Sequence, residues 1–151
     1  VALAVAAAVD RDAGGRQTRY RRQQGVRAMT IPKDLVAASA TPIVLAILRR
    51  TDSYGYAIIQ KVREVSENRL AWTDGMLYPV LHRLEAGGLL VSYWQTAATG
   101  RKRKYYHLTD AGAEELERQQ EHWSVVHSAL RRLTEARQRL DESSETGERD
   151  V

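Results

Sequence analysis

No cysteine occurs among the 151 residues. Disulfides, thiolate nucleophiles and cysteine-based zinc sites are therefore excluded, and the composition suits a reducing cytoplasm. Long apolar runs are missing too. The two best, Val1–Val9 and Pro42–Leu48, fall well short of the roughly 18 residues that span a bilayer, so a soluble, cytoplasmic protein without a membrane partner is expected. Enzyme signatures are equally scarce: no HExxH, phosphate loop or dinucleotide fingerprint is present. The four histidines are His82, His107, His122 and His127. The last two would lie about 140° apart on a helix, too far round to share a metal. No enzymatic activity, catalytic residue, metal or cofactor is expected.

What is present is a 43% hydrophobic chain, enough for one ordinary domain core. Its net charge of +4 is unevenly spread. Residues 1–29 carry six Arg against two Asp, residues 30–110 eleven basic against seven acidic groups, and residues 111–151 six basic against ten acidic. A basic middle followed by an acidic end predicts two surfaces with different partners.

Val1–Val9 has no basic segment ahead of it, as a secretory signal requires. Arg19, Arg21, Arg22 and Arg27 lie close enough to form a phosphate-touching arm. Periodic sequence begins only after Met29, at Thr30-Ile31-Pro32-Lys33. Residues 1–28 are therefore expected to be a disordered extension or the product of an over-long start.

Ile31–Ala38 reads as a short helix. Thr41-Pro42 marks a second helix start, with Thr41 as cap and Pro42 where its missing N–H costs nothing. Ser53 is the expected cap of a helix over Tyr54–Asn68, with Ile58, Val62 and Val65 as its apolar stripe. Leu70-Ala71-Trp72 reads as a short strand. A further helix spans about Gly75 to Ala86, capped by Thr73 or Asp74 and stopped by Gly87-Gly88. Leu89–Gln95 and Arg103–Leu108 are strand-like, joined by a loop over Thr96–Lys102 that contains Gly100. Thr109-Asp110 caps a long helix ending near Leu140. The order predicts a mainly α fold with a small β-hairpin: a winged helix-turn-helix domain plus a long C-terminal dimerisation helix. The expected divisions are an extension over 1–28, a DNA-binding domain over 29–109, the dimerisation helix over 110–140 and a polar tail over 141–151.

On the Gly75–Ala86 helix, Leu77, Leu81 and Leu84 fall within about 60° and form the inward stripe. Met76, Pro79 and Arg83 lie roughly opposite, with Gly75 and His82 beside them and Tyr78 on the flank. A face that starts with small residues and continues with Tyr, His and Arg suits a major groove, although a solvated polar face has the same pattern. With Thr73 at the helix start, these are the candidate DNA contacts; Arg83 suits a guanine edge, Tyr78 and His82 phosphates or bases. Arg101-Lys102-Arg103-Lys104 places four cations in succession, where mutual repulsion is costly unless phosphates neutralise it. A solvated charged turn is the plainer alternative.

In the last helix Leu116, Trp123 and Leu130 recur every seven residues, interleaved with Val126, Leu133 and Leu140. That is a heptad seam over about three repeats, weakened by Gln119 and Arg137. It can pack on its own domain or pair with a second copy; pairing would set two reading helices about one DNA turn apart on a palindromic duplex. Trp123 either fills that interface or walls a pocket for a small apolar or aromatic effector.

The stretches Ser53–Ile58, Gly75–Glu85, Gly88–Leu90 and Gly100–Thr109, followed by Gly112, resemble the PadR family of bacterial regulators in order and spacing, over about residues 35–130. The resemblance implies a three-helix winged domain, dimerisation through the C-terminal helix, and a repressor released by a ligand or stress signal. It also implies that Tyr78, Pro79, Arg83 and the Arg101–Lys104 cluster are DNA-binding positions. The competing reading is a winged-helix module that binds a regulatory protein, which suits the acidic end but leaves the cationic hairpin without a purpose.

Overall fold

The computed structural model describes residues 31–146; the expectations for residues 1–28 and the last residues of the polar tail lie outside that span. Helix α1 (Lys33–Arg50) runs unbroken through Pro42, where the sequence suggested two helices with a start at Thr41. Pro42 has no N–H for the carbonyl four residues back, a loss of about 3 kcal/mol in a helix interior. The stripe explains why the helix persists. Ala40, Val44, Leu45 and Leu48 are buried and Val36 packs against them, so helical spacing continues across the proline. Each fully buried Val or Leu contributes about 1.5–3 kcal/mol, which offsets the missing bond.

Ser53 is not a cap. It forms with Tyr54 the two-residue strand β1 (Ser53–Tyr54), paired to the third strand through Ser53↔Tyr106 and Tyr54↔Tyr105. Helix α2 (Gly55–Val65) starts directly behind it and buries Ile58, Ile59 and Val62. It stops short of Asn68, because Glu67 and Asn68 adopt left-handed backbone (φ 52° and 63°) and the Asn68 amide turns back to the Arg63 carbonyl. Val65, expected in the buried stripe, is exposed. At the last residue of α2 the stripe has run past the core.

Leu70-Ala71-Trp72 forms no strand. Trp72 instead inserts its ring into the core, although its indole Nε1 finds no hydrogen-bond partner among the described residues. Helix α3 (Asp74–Ala86) follows, then strands β2 (Leu90–Thr96) and β3 (Lys102–Leu108). The antiparallel hairpin runs in register from Leu90↔Leu108 to Thr96↔Lys102, one residue longer at its tip than predicted. Its turn closes with the Ala97 amide on the Arg101 carbonyl, and Gly100 supplies the left-handed residue (φ 81°). The sheet order is β1-β3-β2.

Helix α4 (Asp110–Thr146) has 37 residues, about 55 Å of helix, and runs past the expected end at Leu140. Its start is the predicted one: the Thr109 hydroxyl accepts the Gly112 amide at 3.1 Å while donating to the Gly88 carbonyl at 2.7 Å. Gly112 lies so close to the hairpin base that a Cβ there would collide with the Leu89 carbonyl oxygen. Helices α1 to α3 and the hairpin form a winged helix-turn-helix, with α4 attached. No helix of the described residues is long and apolar enough to cross a membrane.

Candidate nucleic-acid interface

Leu77, Leu81 and Leu84 anchor α3 as the sequence predicts, and Val80 is buried with them. The added residue widens the inward arc toward Met76, which therefore packs partly against the core rather than facing outward. Thr73, Gly75, Pro79, His82 and Arg83 remain exposed. Pro79 is the sixth residue of α3; the carbonyl it leaves without a helical partner belongs to Gly75, on the solvent side.

Two side chains brace the flanks of this exposed face. The Tyr78 ring lies over the start of α2, where a Cβ on Gly55 would stand 2.7 Å from the Tyr78 hydroxyl oxygen. Glycine at 55 is what permits the ring to sit there. On the opposite flank Arg83 donates from Nη2 to Thr41 Oγ1 of α1 at 3.0 Å. Thr41, expected to cap a helix starting at Pro42 but lying inside α1, is thus the partner of the expected base reader, and Arg83 leans toward the edge of the α3 face. The Tyr78 and His82 rings lie 6.5 Å apart on the outer side.

Strand pairing divides the four-cation run, which is not one loop-tip cluster. Only Arg101 stands in the turn; Lys102, Arg103 and Lys104 lie in β3, where successive side chains take opposite faces. The Arg103 guanidinium sits 4.6 Å from the Tyr54 ring centroid, and the Lys104 ammonium 5.7 Å from that of Tyr106. Both charges are partly held by aromatic faces. Arg101 and Lys102 are exposed at the tip. Among the described residues none of the four has an acidic partner within salt-bridge distance.

The outer face of the sheet carries a polar lock that the sequence did not suggest. The Tyr93 hydroxyl donates to Asp52 Oδ2 at 2.7 Å, and His107 Nδ1 lies 2.7 Å from Asp52 Oδ1. The Tyr93 hydrogen bond, reinforced by His107, holds the Asp52 carboxyl below its ordinary value, while the same carboxylate pushes the Tyr93 phenol up. Tyr105 stacks on Tyr93 and meets Tyr54 edge-on. This lock ties the segment before α2 to both strands of the wing. Burial pushes up the Tyr106 phenol on the other face, with Glu85 and Tyr78 adding to the effect.

Of the predicted seam residues, Leu116 does not belong to a free seam, because it is buried in the chain's own core. It lies within the first two turns of α4, which still pack on α1 and the hairpin base. Trp123 is half-buried and borders an open cleft of about 580 Å³ together with Ile31, Leu35, Ile43, Val65 and Leu70. Val126, Leu130, Leu133 and Leu140 are exposed. Trp94, which the sequence reading passed over, is also exposed, on β2.

A family model, the transcriptional regulator PadR-like family, matches residues 44–118, from the second half of α1 to the first turns of α4. The chain is similar to the crystal structure of a PadR family transcription regulator from Clostridium difficile, at 30% identity and a TM-score of 0.56, with 64% of this chain and 98% of that one covered. A transcriptional regulator from Clostridium thermocellum is similar at 27% identity and a TM-score of 0.62, over 68% of this chain and 96% of the other. The transcriptional regulator Rv3488 of Mycobacterium tuberculosis is 50% identical over 50 residues, 33% of this chain and 46% of that protein.

Proposed function

The chain belongs to the PadR-like family of transcriptional regulators, and from that membership we propose that it is a homodimeric repressor that grips a palindromic operator and lets go when a small effector binds. The family makes it a DNA-binding regulator; the dimer, the sense of regulation and the effector are the proposal.

The reading centres on α3 in the major groove. Its exposed face is small and flat at Gly75 and Pro79, and His82 projects beside them. Tyr78 and Arg83 stand at the rims, braced by Gly55 and Thr41, so they meet the DNA with little rotamer freedom left to lose. Arg83 suits a guanine edge at the rim of the groove. Arg101 and Lys102 suit flanking phosphates, each one neutralised releasing counterions. Arg103 and Lys104 add positive potential from the tyrosines on which they rest.

The observation that carries the dimer is the exposed seam of α4. Beyond the turns that pack on the domain, Val126, Leu130, Leu133 and Leu140 present apolar side chains to solvent, Leu133 at 71% exposure. A helix of about 55 Å with such a stripe is stabilised by a second copy of itself. The apolar cleft beside Trp123 supports the effector reading. Its size suits a small aromatic or apolar molecule, and its walls come from α1, the end of α2 and α4, so an occupant would bias how α4 meets the DNA-binding domain.

Selection of bound sequences from random duplex DNA by the purified protein tests this. A palindromic consensus with half-sites about one helical turn apart is expected; an asymmetric single site contradicts it.

A further inference from the structure

Ser92 and Trp94 share one face of β2, since side chains two apart on a strand point the same way. Ser92 identifies that face. Its hydroxyl donates to Glu85 of α3 at 2.7 Å, and its cross-strand partner Tyr106 is buried in the core. Trp94 therefore leaves the hairpin on the α3 side, about 7 Å farther toward the tip, where α3 no longer covers it. Its side chain is 68% exposed, against 3% for Trp72. Lys104 is directly across the ladder from it, and Thr96↔Lys102 is the next pair outward on the same face. Trp94, Thr96 and Lys102 line an open hollow of about 490 Å³.

An indole left in water forfeits the largest apolar burial any side chain offers. Beside two lysines it also has a defined electrostatic setting. A second copy docking here about a two-fold axis would bring lysines against lysines. The sugar-phosphate backbone of duplex DNA fits instead: a deoxyribose presents apolar C–H groups to the ring, the indole N–H has phosphate oxygens to donate to, and the adjacent ammonium meets a phosphate.

We propose that Trp94 is a direct DNA contact of the wing, packing its indole on the deoxyribose wall of the backbone beside the groove that α3 enters, while Lys102 takes the neighbouring phosphate. The proposal rests on the DNA-binding reading above and adds to it a contact that is apolar and blind to base sequence.

The test uses the full chain and a short labelled duplex of random sequence, with affinity read by fluorescence anisotropy over a range of salt. Trp94→Ala should weaken binding about five- to tenfold, the scale of one lost aromatic contact. The salt slope should be unchanged, because the indole neutralises no phosphate and so releases no counterions. Trp94→Phe should restore most of the loss. In the unmodified protein, saturating duplex should shield tryptophan emission from acrylamide, and in Trp94→Phe, which emits only from Trp72 and Trp123, it should not. Binding by folded Trp94→Ala within twofold of the unmodified protein overturns the proposal, as does emission equally quenched with and without duplex. A fall in molar mass with unchanged affinity overturns it in favour of self-association. If Trp94→Ala does not fold, Trp94→Phe and the quenching of the unmodified protein decide. Loss confined to Arg101→Ala/Lys102→Ala, with Trp94→Ala intact, sinks this inference alone; an unmodified protein that binds no duplex sinks the DNA-binding reading with it.

Discussion

Asp52 and Tyr93 are joined by a 2.7 Å hydrogen bond from the phenol to the carboxylate, with His107 on the other carboxylate oxygen. The pair joins the segment entering the helix-turn-helix to the wing, and the hydrogen bonds to it favour the ionised form of Asp52. A carboxyl whose folded-state pKa is depressed contributes stability above its unfolded value, and that contribution disappears as pH falls through the folded value. Asp52→Asn should therefore lower the melting temperature near neutral pH, and the gap should close below the ordinary carboxylate value of 3.8. A gap that stays constant across that range would show that the ionised carboxylate plays no part.

The two tight glycines separate folding from binding. Gly112→Ala places a methyl against the Leu89 carbonyl, a backbone atom that cannot swing aside, and overpacking of this kind costs about 1–3 kcal/mol. Gly55→Ala meets only the end of the Tyr78 side chain, which can rotate away. Its cost in urea unfolding should be smaller, while affinity for duplex DNA should fall because Tyr78 is displaced. Equal destabilisation by the two would contradict the packing described.

Within the wing, exposure predicts an order. Arg101→Ala and Lys102→Ala should each reduce the slope of log affinity against log salt by about one. Arg103→Ala should change the slope less and cost about 0.5–1 kcal/mol of stability by uncovering Tyr54. Identical slopes for all three variants would mean that the strand alternation does not sort these charges.

Arg83 is tested by comparing duplexes. If it reads a base bidentately, Arg83→Ala should cost about 1–3 kcal/mol on the selected sequence and much less on random DNA. Thr41→Val, which removes the brace, should show a weaker version of the same pattern. An equal loss on both duplexes would make Arg83 a backbone contact.

Much of this was legible because it is local. The leucine stripe of α3, the Gly100 turn and the Thr109 cap are each fixed by a few neighbouring residues. The failures are contacts made at a distance. β1 is two residues long and exists only because β3 offers a free edge. The Thr41-Pro42 pair has the chemistry of a helix start, yet the stripe from Val36 to Leu48 overrides it. Heptad spacing placed Leu116 and Leu130 in one seam, but spacing cannot reveal that the first is covered by the chain's own domain. The face of Trp94 could have been read from strand parity relative to Leu90; what parity does not show is how far α3 covers the hairpin.

The central claim is that exposed apolar residues of α4 bring two chains onto one duplex. Light scattering of the purified protein measures this most directly, with and without the selected duplex, and with Leu130→Glu/Leu133→Glu as the variant. The account predicts twice the 17.0 kDa chain mass for the unmodified protein, two chains per duplex in the complex, and a folded monomer with weakened binding for the variant. A single chain on the duplex, or a dimer that survives both substitutions, would contradict it.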